Sequence, residues 1–238
     1  MMKLILFDCD GTLVDSQHNI AAAMRQAFAA HGVPYPGDAA TREVIGLSLL
    51  EAIARLVPEE SPKMHEKLAR AYKEAFLALR TSPDFHEPLF PGARETIEAL
   101  AARDDVLLGI ATGKARRGLD VLLERFALRE YFVTLQTADD APSKPHPGMV
   151  LRALEETGAE PEHTVLIGDT THDMLMARNA GIAGLGVAWG YHPPESLKES
   201  GAAAIAESFS HVPDLAHQIV EARKTGQTPA TALSRAPS

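Results

Sequence analysis

Lys3-Leu4-Ile5-Leu6-Phe7-Asp8-Cys9-Asp10-Gly11-Thr12 is the stretch on which the fold turns. Its apolar run is short and ends near a glycine, the pattern of a buried strand feeding a tight turn. Two carboxylates stand two positions apart where the strand should end, and residues at that spacing share a face. In open α/β sheets the carboxyl ends of the strands face the crevice where ligands bind. Asp8 and Asp10 have like charge and repel unless a cation or a shared proton intervenes. A solvated turn therefore explains the pair poorly, and a nucleophile beside a proton donor explains it well.

Further groups arrive in order down the chain. Val106 to Ala111 reads as a second buried strand, with Thr112-Gly113 at its end offering a hydroxyl and a backbone N–H to an anionic oxygen. Phe132 to Leu135 reads as a third strand, and the loop after it carries Ser143-Lys144-Pro145-His146-Pro147 before a helix that Pro147 can start. Thr164 to Ile167 is a fourth, running into Gly168-Asp169-Thr170-Thr171-His172-Asp173. Four successive strands thus deliver chemical groups to one edge of one sheet, and a strand near Leu185 to Trp189 is expected to complete it.

These residues together resemble the haloacid dehalogenase-like (HAD) hydrolases, and within them the phosphoglycolate-phosphatase-like branch. The resemblance spans roughly residues 1 to 222 and rests on Asp8-x-Asp10-Gly11-Thr12, Thr112, Lys144 and Gly168-Asp169-x-x-x-Asp173 in that order. It implies an α/β fold with a Rossmann-like core, a mainly parallel sheet and an inserted helical cap. It implies that Asp8 attacks phosphorus and becomes an aspartyl-phosphate, while Asp10 protonates the departing alkoxide and later activates water. Mg²⁺ is implied at Asp8, the backbone carbonyl of Asp10 and Asp169, with Asp173 nearby through water or behind the ligands. Thr112 and the N–H of Gly113 would bind phosphoryl oxygens, and Lys144 would offset the charge of nucleophile and phosphate. Hard oxygen ligands suit that ion, and a carboxylate nucleophile divides one difficult displacement into two easier ones. Asp10 also argues against dehalogenation, since a halide leaves without a proton whereas an alkoxide needs one. A phosphomutase of the β-phosphoglucomutase kind keeps the same second aspartate, so mutase chemistry stays open, as does pyrophosphate as substrate. The non-enzymatic alternatives are a receiver-type signalling domain, whose phospho-acceptor follows a later strand, and a HAD-like binding protein without chemistry.

Between Ser16 and Phe85 no convincing strand appears. Apolar residues instead recur at helical spacing over Ile20 to Ala30, Arg42 to Leu56 and Lys63 to Leu79. The expected organisation is a core over 1–15 and 86–224, a helical cap over 16–85, and a disordered tail rich in Thr, Ala and Pro over 225–238. A cap that closes excludes water and selects the substrate. Arg42 to Leu50 is its candidate specificity segment, with Arg42 placed to meet a second anion; the plainer alternative is an arginine on a solvated helix face.

The remaining motifs are blander. Cys9 lies between the aspartates, but no arginine follows to complete a phosphate loop, and on a strand its side chain points away from them, so it reads as a packed thiol. Gly109 to Ala115 is one residue short of a nucleotide P-loop. Lys114 and His146 read as solvated side chains at the rim, and His172 as a helix-start residue or one supporting the metal ligands. No zinc pattern occurs. Across 238 residues the net charge is −9, which disfavours nucleic acid or acidic membrane surfaces as partners, and one cysteine excludes an internal disulfide framework. With no signal segment or membrane span in the pattern, the cytoplasm is the expected location. The partner expected is a small phosphorylated metabolite: phosphoglycolate by the resemblance, with sugar phosphates and nucleotide monophosphates also open. Nothing in the pattern bears on oligomeric state.

Overall fold

The computed structural model describes residues 2–83 and 85–225. The chain runs β1 (Lys3–Phe7), α1 (Gln17–Ala30), α2 (Asp38–Glu43), α3 (Leu49–Leu56), α4 (Pro62–Arg80), α5 (Ala93–Ala101), β2 (Val106–Ala111), α6 (Arg116–Arg125) and β3 (Phe132–Gln136). It continues through α7 (Gly148–Thr157), β4 (Thr164–Gly168), α8 (Thr171–Asn179), β5 (Ala183–Val187), α9 (Pro194–Glu199), β6 (Ala202–Ala206) and α10 (Val212–Lys224). Apart from Thr225, the tail expected over 225–238 lies outside the described residues.

The six strands form one sheet in the order β3-β2-β1-β4-β5-β6, every neighbouring pair parallel. Parallel strands need helical crossovers on both faces, and β1 is accordingly apolar on both. Ile5 and Phe7 pack with Ile97 of α5, Leu119 of α6 and Ile219 of α10 on one side. Leu4 and Leu6 meet Met149 and Val150 of α7 and Met176 of α8 on the other. Cys9 is fully buried in the first of these clusters, and burial raises its thiol well above the ordinary range, as befits a packed, unreactive cysteine. The strand order reverses between β1 and β4, which opens a crevice beyond their carboxyl ends.

Helices α1 to α4 follow β1 directly and have a core of their own, built from Met24, Phe28, Val33, Ile53, Val57 and Leu68. The single helix expected from Arg42 to Leu56 is in fact two. Gly46 adopts φ +95° between α2 and α3, a backbone state that interrupts a helix and that glycine reaches without strain. A second correction concerns the sheet edge. The strand near Leu185 is present as β5, but the sheet is completed by β6, whose Ala-Ala-Ala-Ile-Ala sequence carries neither alternation nor β-branched density. Among the described residues no helix is long and apolar enough to cross a membrane.

Candidate active site

Register carries the motif residues to one level. Phe7 pairs with Ile110 of β2 and with Ile167 of β4, so Asp8, Thr112 and Asp169 emerge together at the carboxyl edge of three adjacent strands. Gly11 then turns the chain at φ +85°; a Cβ there would lie 2.2 Å from an oxygen of Asp169, so only glycine lets the first loop approach the fourth strand.

Asp8, Asp169 and Asp173 are buried and offer oxygens within 4.8 Å of one another. Lys144, 1 % exposed, places Nζ 2.9 Å from Asp8 Oδ2 and 2.6 Å from Asp173 Oδ1. Asp169 is fixed by the Thr12 hydroxyl at 2.7 Å and the Tyr191 N–H at 2.9 Å. Asp173 also closes the capping box of α8, its Oδ2 accepting from the Thr170 hydroxyl at 2.6 Å and the Thr170 N–H at 3.1 Å. The helix start therefore orients a site carboxylate as well as satisfying its own backbone.

Three carboxylates thus face one ammonium in a site closed to water. Burial raises the Asp8 carboxyl to about 7; Lys144 opposes the rise and Asp173 adds to it. Asp169 is pushed well above the ordinary carboxylate range by burial, then by Asp173 and Asp8. For Lys144 burial disfavours the charged form, but Asp173 and Asp8 outweigh it and the lysine stays cationic. The cluster could hold a divalent cation. Its donors are all hard oxygens, its negative charge exceeds what Lys144 balances, and Asp8 Oδ2 is buried without a well-aligned hydrogen bond although Lys144 lies close.

Asp10 occupies a second, less enclosed position. Its Oδ1 accepts from the Ser16 hydroxyl at 2.6 Å and from Lys114 Nζ at 2.8 Å. Lys114 is the largest departure from the sequence expectation. Its side chain is 9 % exposed rather than solvated, with Glu87 Oε1 3.5 Å from the ammonium and the Phe76 ring centroid 5.8 Å away. Burial again opposes its charge, and Asp10 and Glu87 hold it protonated. Sequence reasoning also passed over Tyr191, whose hydroxyl accepts from the Ser16 and Gln17 N–H groups at 3.0 and 3.1 Å and so caps α1 from across the fold. No short-range signal marked Tyr191 or Glu87; for Lys114 the adjoining Thr112-Gly113 was the available clue.

The helical unit closes over this edge. Gly113 lies so near the 46–48 loop that a Cβ would stand 2.4 Å from the Gly46 carbonyl oxygen, and the Ser48 N–H donates to Ser143 Oγ at 2.8 Å. A cavity of about 710 Å³ remains between the unit and the sheet edge, reached by Asp10, Gly113 and Lys114. Arg42 is not brought into this set. It stands exposed on α2, off the cavity lining, where it acts electrostatically on Asp38. His146 accepts from the Gly148 N–H within its own loop, and His172, on the first turn of α8, donates from Nε2 to the Glu43 carbonyl at 3.2 Å.

A parallel sheet with an acidic, lysine-bridged cluster at its switch point is equipped for phosphoryl chemistry. The comparisons specify it further. The family model described as haloacid dehalogenase-like hydrolase matches residues 5–187, and the chain belongs to that family. A Dickeya dadantii (strain 3937) protein named "Probable phosphatase IndB" is 36 % identical over 224 residues, covering 93 % of this chain and 96 % of the relative. The phosphoglycolate phosphatase of Vibrio vulnificus (strain YJ016) is 29 % identical over 225 residues, covering 90 % and 96 %. The crystal structure of a hydrolase from Pseudomonas syringae superposes with TM-score 0.80 at 27 % identity, covering 91 % of this chain and 99 % of that one. The protein is an enzyme of the family's phosphatase branch.

Proposed function

We propose that the protein hydrolyses the phosphomonoester of a small metabolite through an aspartyl-phosphate at Asp8, with Mg²⁺ as cofactor. One observation carries the reading: Lys144 bridges Asp8 and Asp173 inside a buried cluster that also contains Asp169. Asp8, the Asp10 carbonyl and Asp169 would hold the cation, with Asp173 behind them engaged by Lys144 and Thr170. When bound, the cation supplies positive charge against the nucleophile and the phosphoryl oxygens.

The chain's own residues account for the rest. Lys144 offsets the charge that a phosphate dianion brings to Asp8, and Thr112 with the Gly113 N–H binds non-bridging oxygens of the phosphoryl group as it is transferred. Asp8 Oδ attacks phosphorus as the P–O bond to the alcohol breaks. Asp10, standing toward the cavity, delivers a proton to the departing alkoxide. It then takes a proton from the water that cleaves the acyl phosphate, releasing inorganic phosphate and restoring Asp8. The unit formed by α1 to α4, taken as a cap over 16–85, excludes bulk water so that the phosphoryl group passes first to Asp8. Phosphoglycolate enters as the compound in the Vibrio relative's name.

The test is phosphate release from a panel of phosphomonoesters with Mg²⁺ and with EDTA, using wild type and Asp8→Asn. Turnover that needs the metal and disappears in the variant is expected. Release that survives either removal would overturn the mechanism.

A further inference from the structure

We propose that the substrate is the phosphate ester of an alcohol carrying a flat apolar ring, rather than a short acid such as phosphoglycolate. This rests on the phosphatase reading and concerns what occupies the alcohol side of the same site.

The cavity beyond Asp10 has the size that encloses drug-sized ligands, several times what the two carbons of a glycolate fill. Its inner end is polar, formed by Asp10, Gly113 and Lys114, and there the ester oxygen would lie within reach of the acid. The wall opposite is apolar. Ile45 and Leu47 of the loop between α2 and α3 line it together with Tyr72 and Phe76 of α4, and Ile45 belongs to one packed cluster with both rings. The two rings lie 5.8 Å apart between centroids and 31° from coplanar, with the Arg80 guanidinium 5.4 Å from the Phe76 centroid. Such a wall rewards a ring through area removed from water and offset or edgewise stacking, while the cations Lys73, Arg80 and Arg117 line other parts of the same cavity.

The rim points the same way. Leu50 and Leu77 both line the cavity and are about half exposed, at 49 % and 50 %. They add half-exposed apolar surface to the lining, which a bound ring would cover. Ring and alcohol leave together: the P–O bond breaks toward phosphorus, the alcohol oxygen keeps the bonding pair and takes a proton, and water is the final phosphoryl acceptor.

The experiment compares kcat/KM for 2-phosphoglycolate, n-butyl phosphate, benzyl phosphate and 2-phenylethyl phosphate with Mg²⁺. It also follows the thermal shift each ester gives the Asp8→Asn protein, and repeats the kinetics with Phe76→Leu. The ring esters are expected to exceed phosphoglycolate and butyl phosphate at least tenfold and to rank first in thermal shift. Phe76→Leu should lower kcat/KM for the ring esters severalfold more than for butyl phosphate. If phosphoglycolate equals or exceeds the ring esters in wild type, the inference is overturned while the phosphatase reading stands. If no ester is hydrolysed, the phosphatase reading itself falls and the inference with it. The wild-type comparison decides the class even if Phe76→Leu does not fold.

Discussion

Replacing Asp8, the proposed nucleophile, by asparagine should stabilise the metal-free protein as pH rises. Buried Asp8 ionises at about 7 in the fold against about 3.8 for an ordinary aspartate. Between those values the native state keeps a proton that the unfolded chain has released. Native stability therefore falls as pH rises through that window, by about 1.4 kcal/mol per unit, and levels off above pH 7. The accumulated cost at pH 8 is on the order of 4 kcal/mol. Asp8→Asn removes the titrating group, leaving Lys144 paired to Asp173. Asparagine shifts stability by a fixed offset of its own, so the diagnostic quantity is the pH dependence of the difference between variant and wild type. From pH 5.5 to pH 8 that difference should grow in the variant's favour by about 2 kcal/mol, or roughly 4–8 °C in Tm for a chain of this size. Thermal and urea unfolding in EDTA at the two pH values measure it. Mg²⁺ should raise the wild-type Tm, since a ligand at a hundredfold its Kd stabilises by about 2.7 kcal/mol, and raise the variant's much less. A difference that is flat with pH, or that moves against the variant as pH rises, would refute the claim that burial and excess negative charge govern Asp8.

Three further substitutions probe the contacts around Asp10 and the loop above it. Lys114→Met leaves Asp10 and Glu87 without their cation in a largely enclosed site, and should cost about 3 kcal/mol, read as a Tm loss of roughly 6–12 °C, together with a kcat at least tenfold lower. Tyr191→Phe removes the acceptor for two N–H groups at the start of α1 and should cost about 1–2 kcal/mol by urea unfolding; an unchanged midpoint would mean that water replaces the hydroxyl. Gly113→Ala drives a methyl against the Gly46 and Leu47 carbonyls, so the loop has to move; kcat/KM should fall by about two orders of magnitude with a stability loss near 1–3 kcal/mol, and kinetics within threefold of wild type would show that the loop is free to yield.

The core was legible in the sequence because its strands are short, buried on both faces and bounded by glycines. Lys3 to Phe7 and Val106 to Ala111 were marked by composition alone and recur as β1 and β2. β6 was invisible for the opposite reason. At the sheet edge it is only partly buried, so small alanines suffice and no hydrophobic pattern is required. Helix periodicity bridged Gly46 because apolar residues continue on either side of it; the break is a backbone conformation, which a pattern of side chains does not encode.

The site divides along the same line. Asp8, Thr112, Lys144 and Asp169 follow strand ends, and a parallel sheet brings strand ends together whatever the intervening helices do, so a linear reading locates them. The groups around Asp10 arrive by another route. Ser16 precedes α1, Phe76 lies on α4, Glu87 on the chain returning to the sheet, Lys114 after β2 and Tyr191 after β5, and they meet only because the helical unit packs down on the sheet edge. A lysine beside Thr112-Gly113 reads as solvated until the ring and carboxylates that bury it are in place. The two sets differ in physical consequence as well. The first is held by the rigidity of the sheet, whereas the Asp10 set is tied to both α1 and α4, so a displacement of either helix acts directly on the carboxyl proposed to move the proton.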